Sequence, residues 1–130
     1  MAFRESRWED CIQHFTAVID QDPNDVKCLA KRSSALQKKG DLNAALEDAD
    51  RTIQLQPSLA RGYIRKASVL HALKDYSGQV DACIEGLKHN PDDDTLKKAL
   101  ALARRLKANA SKASQAARTT FATRNAALSR

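Results

Sequence analysis

The hydrophobic positions of this chain recur at helical spacing in runs that end at prolines. In the stretch "KKGDLNAALEDADRTIQLQP", residues 38–57, apolar side chains recur three or four positions apart, and Pro57 closes the run 17 positions after Gly40. Such spacing places side chains on one face of an α-helix. Proline lacks the backbone N–H that a helix interior requires, so it ends the helix. The pattern predicts an all-α protein.

The same pattern occurs three times. Pro23, Pro57 and Pro91 are separated by 34 and 34 residues, and a fixed period in this range indicates a repeat array. In each run a polar turn precedes a large apolar residue, small residues follow, and apolar residues close the run. The large residues are Trp8, Leu42 and Tyr76; the small ones are Cys11, Ala45, Ala49, Ala82 and Cys83; the closing ones are Val18, Ile19, Ile53, Leu55 and Leu87. Two further helical runs, "VKCLAKRSSALQKK" and "ARGYIRKASVLHAL", precede the second and third turns, so each unit is helix, tight turn, helix.

This 34-residue unit resembles the tetratricopeptide repeat (TPR), from about residue 3 to residue 107. The resemblance implies a right-handed α-solenoid, the TPR superhelix, with two and a half repeats and a C-terminal capping helix. We expect a half repeat that contains only the second helix at 1–25, repeats at 26–59 and 60–93, and the capping helix at 94–107. The remainder, 108–130, is a basic tail rich in Ala and Ser, and we expect either a helical extension or disorder there.

Charge is distributed unevenly along the chain. Residues 1–94 contain 13 Lys and Arg and all 16 acidic residues, whereas the last 36 residues contain nine basic residues and no acid. In the capping segment, Leu96, Leu100, Ala103 and Leu106 or Lys107 form the predicted packing stripe. The tail beyond it has a lone aromatic residue, Phe121, and two interpretations stay open: a frayed tail, or an arm that contacts RNA or an acidic protein surface. Because no RNA-binding motif is present, nucleic acid is the less favoured partner.

Other classes of function find little support in the sequence. No run approaches the roughly 18 apolar residues of a membrane span, and the amino terminus "MAFRESRWED" has no apolar region typical of a secretory signal. These features predict no membrane association and a cytoplasmic location. Cys11, Cys28 and Cys83 are expected to be buried reduced thiols, and His14, His71 and His89 add no metal-ligand spacing. No cofactor, metal or enzyme motif is predicted.

A cationic stripe is predicted along the first helices of the two full repeats. If Leu29, Ser33 and Leu36 pack inward with the stem of Arg32, a neighbouring stripe remains at spacings of 4, 3 and 4, and the next first helix has a matching one. In TPR proteins these helices line the concave groove. The predicted groove residues are Lys27, Lys31, Ser34, Lys38, Arg61, Arg65 and Ser68. The alternative is that these are ordinary solvated side chains on helix surfaces.

A closer resemblance gives this stripe a role. "RSSALQKKGDLNAALEDADRTIQLQPSLARGYIRKASVL" and "EGLKHNPDD" are similar to the TPR domains of Hop-type co-chaperones, where "NRSAAYAKKGD", "KGYxRKAAAL" and "EGLKHEP" recur at these registers. The resemblance implies a carboxylate clamp that binds the C-terminal Glu-Glu-Val-Asp (EEVD) of the Hsp70 and Hsp90 chaperones. The clamp's Lys-x-x-x-Arg pair falls on Arg61 and Arg65, and a further lysine falls on Lys38.

The chain departs from that family at two points. The clamp asparagine of the second repeat is here Lys31, and the first helix of the first repeat has no counterpart. That absence is expected to leave the face of Trp8, Cys11, Ile12, Phe15 and Val18 without its usual cover. Two explanations stay open: a helix from a partner or a second copy completes the repeat, or the sequence begins late.

Two functions are therefore expected from the sequence. The first is a non-enzymatic adaptor that binds acidic C-terminal peptides of heat-shock chaperones in its concave groove. The alternative is a structural subunit of a larger intracellular assembly, in which the half repeat and the basic tail are contact surfaces.

Overall fold

The fold is a linear array of α-helices joined by short loops. In a computed structural model of the chain, the backbone is described for residues 2–128 and the side chains for residues 7–119. Over the described backbone the helices are α1 (Ala2–Gln21), α2 (Val26–Lys39), α3 (Leu42–Leu55), α4 (Ala60–Ala72), α5 (Tyr76–His89) and α6 (Asp94–Leu128). The prediction of an all-α fold is confirmed.

The helix ends follow directly from the sequence. α1, α3 and α5 each end two residues before a proline, at Gln21, Leu55 and His89. The helices that follow the first and third prolines begin at a side-chain cap: the Asp25 carboxylate accepts the N–H of Cys28, and the Asp93 carboxylate accepts that of Leu96. A capping carboxylate satisfies a backbone donor that has no partner in the first helical turn, so it fixes where the helix starts.

The two tight turns within the repeats share one backbone geometry. Gly40 has a φ of 99°, and the N–H of Asp41 reaches back to the carbonyl of Leu36 at 2.8 Å. Thirty-four positions later, Lys74 has a φ of 61°, and the N–H of Asp75 reaches back to the carbonyl of Leu70 at 2.9 Å. A left-handed residue at this position closes the helix and reverses the chain. Glycine adopts it freely, whereas Lys74 adopts it at a cost in free energy.

Packing runs along the array. Each helix contacts the next, and α2, α4 and α6 also contact one another in that order. The small residues of the repeats allow this close approach: Ala45, Ala49 and Cys83 are completely buried, and Ala82 is nearly so. The predicted packing residues Leu29, Ser33 and Leu36 are buried on α2, as are Leu96 and Ala103 on α6. The first helices of the two full repeats, α2 and α4, thus form one continuous layer with α6.

The two ends of the array differ. Among the described residues, α1 contacts α2 alone, and the side chains of Trp8, Cys11, Ile12, Phe15 and Val18 are half-buried. At the other end α6 continues as helix through residues 108–128, and the side chains from Lys107 to Thr119 are exposed. The side chains of Phe121, Arg124 and Arg130 lie outside the described residues.

The cysteines correct one expectation. Cys83 is buried, but Cys11 and Cys28 are half-buried, so only one of the three thiols is fully enclosed. Cys11 lies on α1, which among the described residues packs against α2, and Cys28 lies in the first turn of α2, so each thiol is covered on one side. Over the described part of the chain, no helix has the length and apolarity that a membrane span requires.

Candidate functional site

A groove lies where the first helices of the repeats meet. Its lining comes from α2, α4, the residue before α4 and the start of α6: Ala30, Lys31, Ser34, Leu59, Ala60, Arg61, Ile64, Arg65 and Thr95. Its volume is about 580 Å³. The structure thus brings together four of the predicted groove residues: Lys31, Ser34, Arg61 and Arg65.

The groove combines an apolar floor with cationic walls. Ala30, Ala60 and Ile64 supply apolar surface, while Lys31, Arg61 and Arg65 supply positive charge. Among residues 7–119, no carboxylate lies within ion-pair distance of these three cations. The neighbouring Lys66, in contrast, pairs with Asp50 at 2.8 Å. Uncompensated cations beside apolar surface suit a ligand with a carboxylate next to an apolar group.

The other three predicted residues lie outside this lining. The ammonium of Lys38 lies 4.8 Å from the centre of the Trp8 ring on α1, a cation–π contact that joins the two helices. The hydroxyl of Ser68 is hydrogen-bonded with the side-chain amide of Gln37. Lys27 is exposed near Asp25, and its charge is a minor contributor to the lowered pKa of Asp25, which arises first from the N–H that Cys28 donates.

Five lining residues were not predicted: Ala30, Leu59, Ala60, Ile64 and Thr95. Leu59 and Ile64 shape the apolar part of the groove, and Thr95 adds a hydroxyl from the first turn of α6. Ile64 lies between Arg61 and Arg65 in the sequence, so the helical spacing that identified the arginines could have identified it too. Thr95 had no such signal, because its position depends on how α6 packs against α4.

The described residues hold no cluster of His, Cys, Asp and Glu that could bind a metal ion. The groove lining over residues 7–119 consists of three cations, the hydroxyl residues Ser34 and Thr95, and apolar side chains.

The chain is similar to a group of proteins with TPR domains. No protein-family model matches it. It is 35% identical to Hsp70-Hsp90 organizing protein 3 of Arabidopsis thaliana over 89 aligned residues. This alignment covers 68% of the chain. The chain spans only 16% of that relative.

Solved structures give the fold. The TPR2B domain of yeast Sti1, solved as its pHsp70 complex, matches with a TM-score of 0.70 and 24% sequence identity. The match covers 79% of this chain and 87% of the Sti1 chain. The first TPR of Spaghetti (RPAP3), bound to the HSP90 peptide SRMEEVD, matches with a TM-score of 0.73 and 20% identity, over 82% of this chain and 86% of that one. Identities this low support the fold alone, and the fold is a TPR solenoid.

Proposed function

For this chain, a TPR domain similar to part of the Hsp70-Hsp90 organizing proteins, we propose that the groove binds the acidic C-terminal peptide of a heat-shock chaperone. The proposed role is that of a co-chaperone-like adaptor, which binds without catalysis and acts in the cytoplasm. The observation that carries the proposal is the set of three cations, Lys31, Arg61 and Arg65, which face one groove without an acidic partner among the described residues.

The chemistry of an EEVD terminus fits this groove. A terminal carboxylate and acidic side chains are bound by charge-assisted hydrogen bonds, and a guanidinium can bind a carboxylate through two of them. Arg61 and Arg65 are one helical turn apart, so both can reach one end of a peptide. The apolar surface of Ile64 lies between them in the same groove and offers a place for the valine of EEVD.

Lys31 gives this groove a charge where Hop-type domains have asparagine. Because Lys31 lies in the same lining as Arg61 and Arg65, it adds a third donor for carboxylates. A lysine cannot accept a hydrogen bond, whereas an amide can both donate and accept. We therefore expect the groove to select ligands by the negative charge of their carboxylates more than by hydrogen bonds to their peptide backbone.

The peptide SRMEEVD, which is bound in one of the matched structures, provides the test. Isothermal titration calorimetry should show binding of SRMEEVD and much weaker binding of its C-terminally amidated form, because amidation removes the terminal charge. Equal affinities for the two peptides would show that the groove does not bind a terminal carboxylate.

The second candidate is a scaffold subunit with a basic contact arm. The observation in its favour is that α6 continues beyond the repeats with the side chains of residues 107–119 exposed, among them Lys107, Lys112 and Arg118. Removal of residues 108–130 distinguishes the two functions: an adaptor keeps its peptide affinity, whereas a scaffold subunit loses its assembly partner.

A further inference from the structure

A second concave surface lies at the far end of the helix array, away from the groove. It is a notch of about 600 Å³ between the turn that joins α4 to α5 and the extended part of α6. The turn contributes Lys74, Asp75 and Tyr76 together with Ser77, and α6 contributes its residues from Lys107 to Arg118 that face the turn.

The notch and the groove lie on different sides of α6. Thr95 lines the groove and Lys107 lines the notch, 12 positions later along the helix. Since successive residues of an α-helix are rotated by about 100°, these two side chains point in directions about a third of a turn apart. The notch is therefore a surface separate from the groove, and the two linings share no residue.

The lining of the notch is rich in groups that bind anions. Lys74, Lys107 and Arg118 supply three cations, and among residues 7–119 none of them has a carboxylate within ion-pair distance. Hydroxyl groups of Ser77, Ser111 and Ser114 line the same surface. Within residues 7–119 the lining contains one acid, Asp75, which already accepts the N–H of Gly78 at 2.9 Å as the cap of α5.

Cations and hydroxyls together form the donor set that suits a phosphate group. A phosphate monoester is close to a dianion at neutral pH and has three strong acceptor oxygens, which take hydrogen bonds from Lys, Arg and hydroxyl groups. We propose that the notch between the α4–α5 turn and α6 binds a phosphorylated side chain of a partner protein.

The surroundings favour a single phosphate over a nucleic-acid backbone. Asp75 lines not only the notch but also the neighbouring hollow, where Asp81 and Glu85 are exposed. A chain of phosphates that continued from the notch across this side of α5 would meet those carboxylates. A nucleic acid needs cations at successive phosphates, whereas an isolated phosphoserine needs one cluster.

The test is an NMR titration of the ¹⁵N-labelled full chain with four probes. They are an acetylated and amidated Gly-phosphoserine-Gly peptide, the same peptide without phosphate, inorganic phosphate, and a short single-stranded oligonucleotide. We expect the phosphopeptide to shift the amide signals of Ser77, Ser111 and Ser114 in a saturable manner, and the unphosphorylated peptide to leave them in place.

Matched variants locate the site. In the double variant Lys107→Gln with Arg118→Gln, phosphopeptide affinity should fall by about tenfold or more, as expected when charged hydrogen bonds are lost. The control, Arg105→Gln with Lys112→Gln, also removes two positive charges from α6, at exposed positions outside the notch. It should retain the affinity of the unchanged chain.

Three results would overturn the proposal. Equal losses in the two double variants would show binding to the general charge of α6. If inorganic phosphate binds as tightly as the phosphopeptide, the ligand of the notch is a free ion and not a protein. If the oligonucleotide binds more tightly at the same amides, the ligand is a nucleic acid. Binding of SRMEEVD to the groove, measured in the same variants, reports on the fold and on the proposed adaptor function separately.

Discussion

Arg32 and Asp48 form a two-pronged ion pair that joins α2 to α3. Nε of Arg32 lies 2.6 Å from Oδ2 of Asp48, and its Nη2 lies 2.7 Å from Oδ1. The remaining guanidinium nitrogen donates to Oγ1 of Thr16 on α1 at 3.2 Å, so one side chain links three helices. The side chain of Asp48 is 5% exposed and that of Arg32 is 16% exposed. The hydrogen bonds to Asp48 raise the pKa of Arg32 above its ordinary value.

Substitution of Arg32 should therefore destabilise the fold. Arg32→Ala leaves the Asp48 carboxylate buried without its partner, and breaking a buried pair from one side costs about 3 kcal/mol of the free energy of unfolding. Urea denaturation at neutral pH measures this loss. Arg51→Ala is the control, because Arg51 is 43% exposed and lies 4.0 Å from the same carboxylate. Its loss should be below about 1 kcal/mol. Similar losses in the two variants would contradict the role given to Arg32.

Gly86 marks the closest approach of α5 to its neighbours. A Cβ atom at this position would lie 2.8 Å from Cβ of Tyr63 on α4 and 2.9 Å from Cδ1 of Leu96 on α6. Gly86→Ala should lower the free energy of unfolding by about 1 to 3 kcal/mol, because the added methyl group forces packed helices apart. Within a helix, replacing Gly by Ala otherwise stabilises by roughly 0.5 to 1 kcal/mol. Chemical denaturation of Gly86→Ala shows whether the free energy of unfolding falls or rises. A more stable variant would mean that α4, α5 and α6 are packed less tightly than the structure shows.

Cys83 should be the least reactive thiol. Its burial raises its pKa above the ordinary value of 9.0, while Cys11 is half-buried on α1. Since the thiolate is the nucleophile, a raised pKa and an enclosed position both slow alkylation. Iodoacetamide at pH 8 followed by peptide mass spectrometry should label Cys11 well before Cys83. Labelling of the two residues at equal rates in the folded chain would show that the α5 core opens freely.

The same raised pKa predicts how stability depends on pH. In the unfolded chain the Cys83 thiol ionises at its ordinary pKa, and in the folded chain it ionises only at higher pH. The folded state therefore binds the proton more tightly, so the contribution of Cys83 to stability is present in full below pH 9.0 and falls as the pH rises through the folded-state pKa. Cys83→Ala should show a smaller loss of stability than the unchanged chain between neutral and strongly alkaline pH in urea denaturation.

The fold was largely predictable because its signals are local. The prolines at a 34-residue period place the ends of α1, α3 and α5, and the run "VKCLAKRSSALQKK" coincides with α2 from Val26 to Lys39. Alanine and cysteine at helical spacing identified the close helix contacts, and Ala45, Ala49 and Cys83 are completely buried. These features depend on backbone geometry and side-chain size, which the sequence states directly.

Features that depend on pairing between helices were not predictable in the same way. The contact of Lys38 with Trp8 joins positions 30 residues apart, and the hydrogen bond between Gln37 and Ser68 joins positions 31 residues apart. Helical spacing placed Lys38 and Ser68 on the groove stripe, but it does not state which neighbouring helix a long side chain will contact. Among the groove predictions, Lys31, Ser34, Arg61 and Arg65 lie together because they occupy the facing sides of α2 and α4.

Arg65 and Lys66, two adjacent residues of α4, allow the proposed groove to be tested with a matched control. Arg65 lines the groove without an ion-pair partner among residues 7–119, while the next residue, Lys66, pairs with Asp50 and lines the hollow beside α5. Substitution of either removes one positive charge from the same helical turn. Of these two residues, Arg65 belongs to the groove lining and Lys66 does not.

Arg65→Ala should therefore weaken binding of SRMEEVD by about 1 to 3 kcal/mol, the range for hydrogen bonds to charged groups, and Arg61→Ala should act in the same direction. Lys66→Ala should change the affinity little, because its ion pair with Asp50 is partly exposed and lies outside the groove. Isothermal titration calorimetry measures all three, and circular dichroism checks that each variant keeps its helix content. If Lys66→Ala weakens binding as much as Arg65→Ala, the peptide responds only to net charge. If the double variant of Arg61 and Arg65 binds as the unchanged chain does, the peptide lies elsewhere and the proposed groove is wrong.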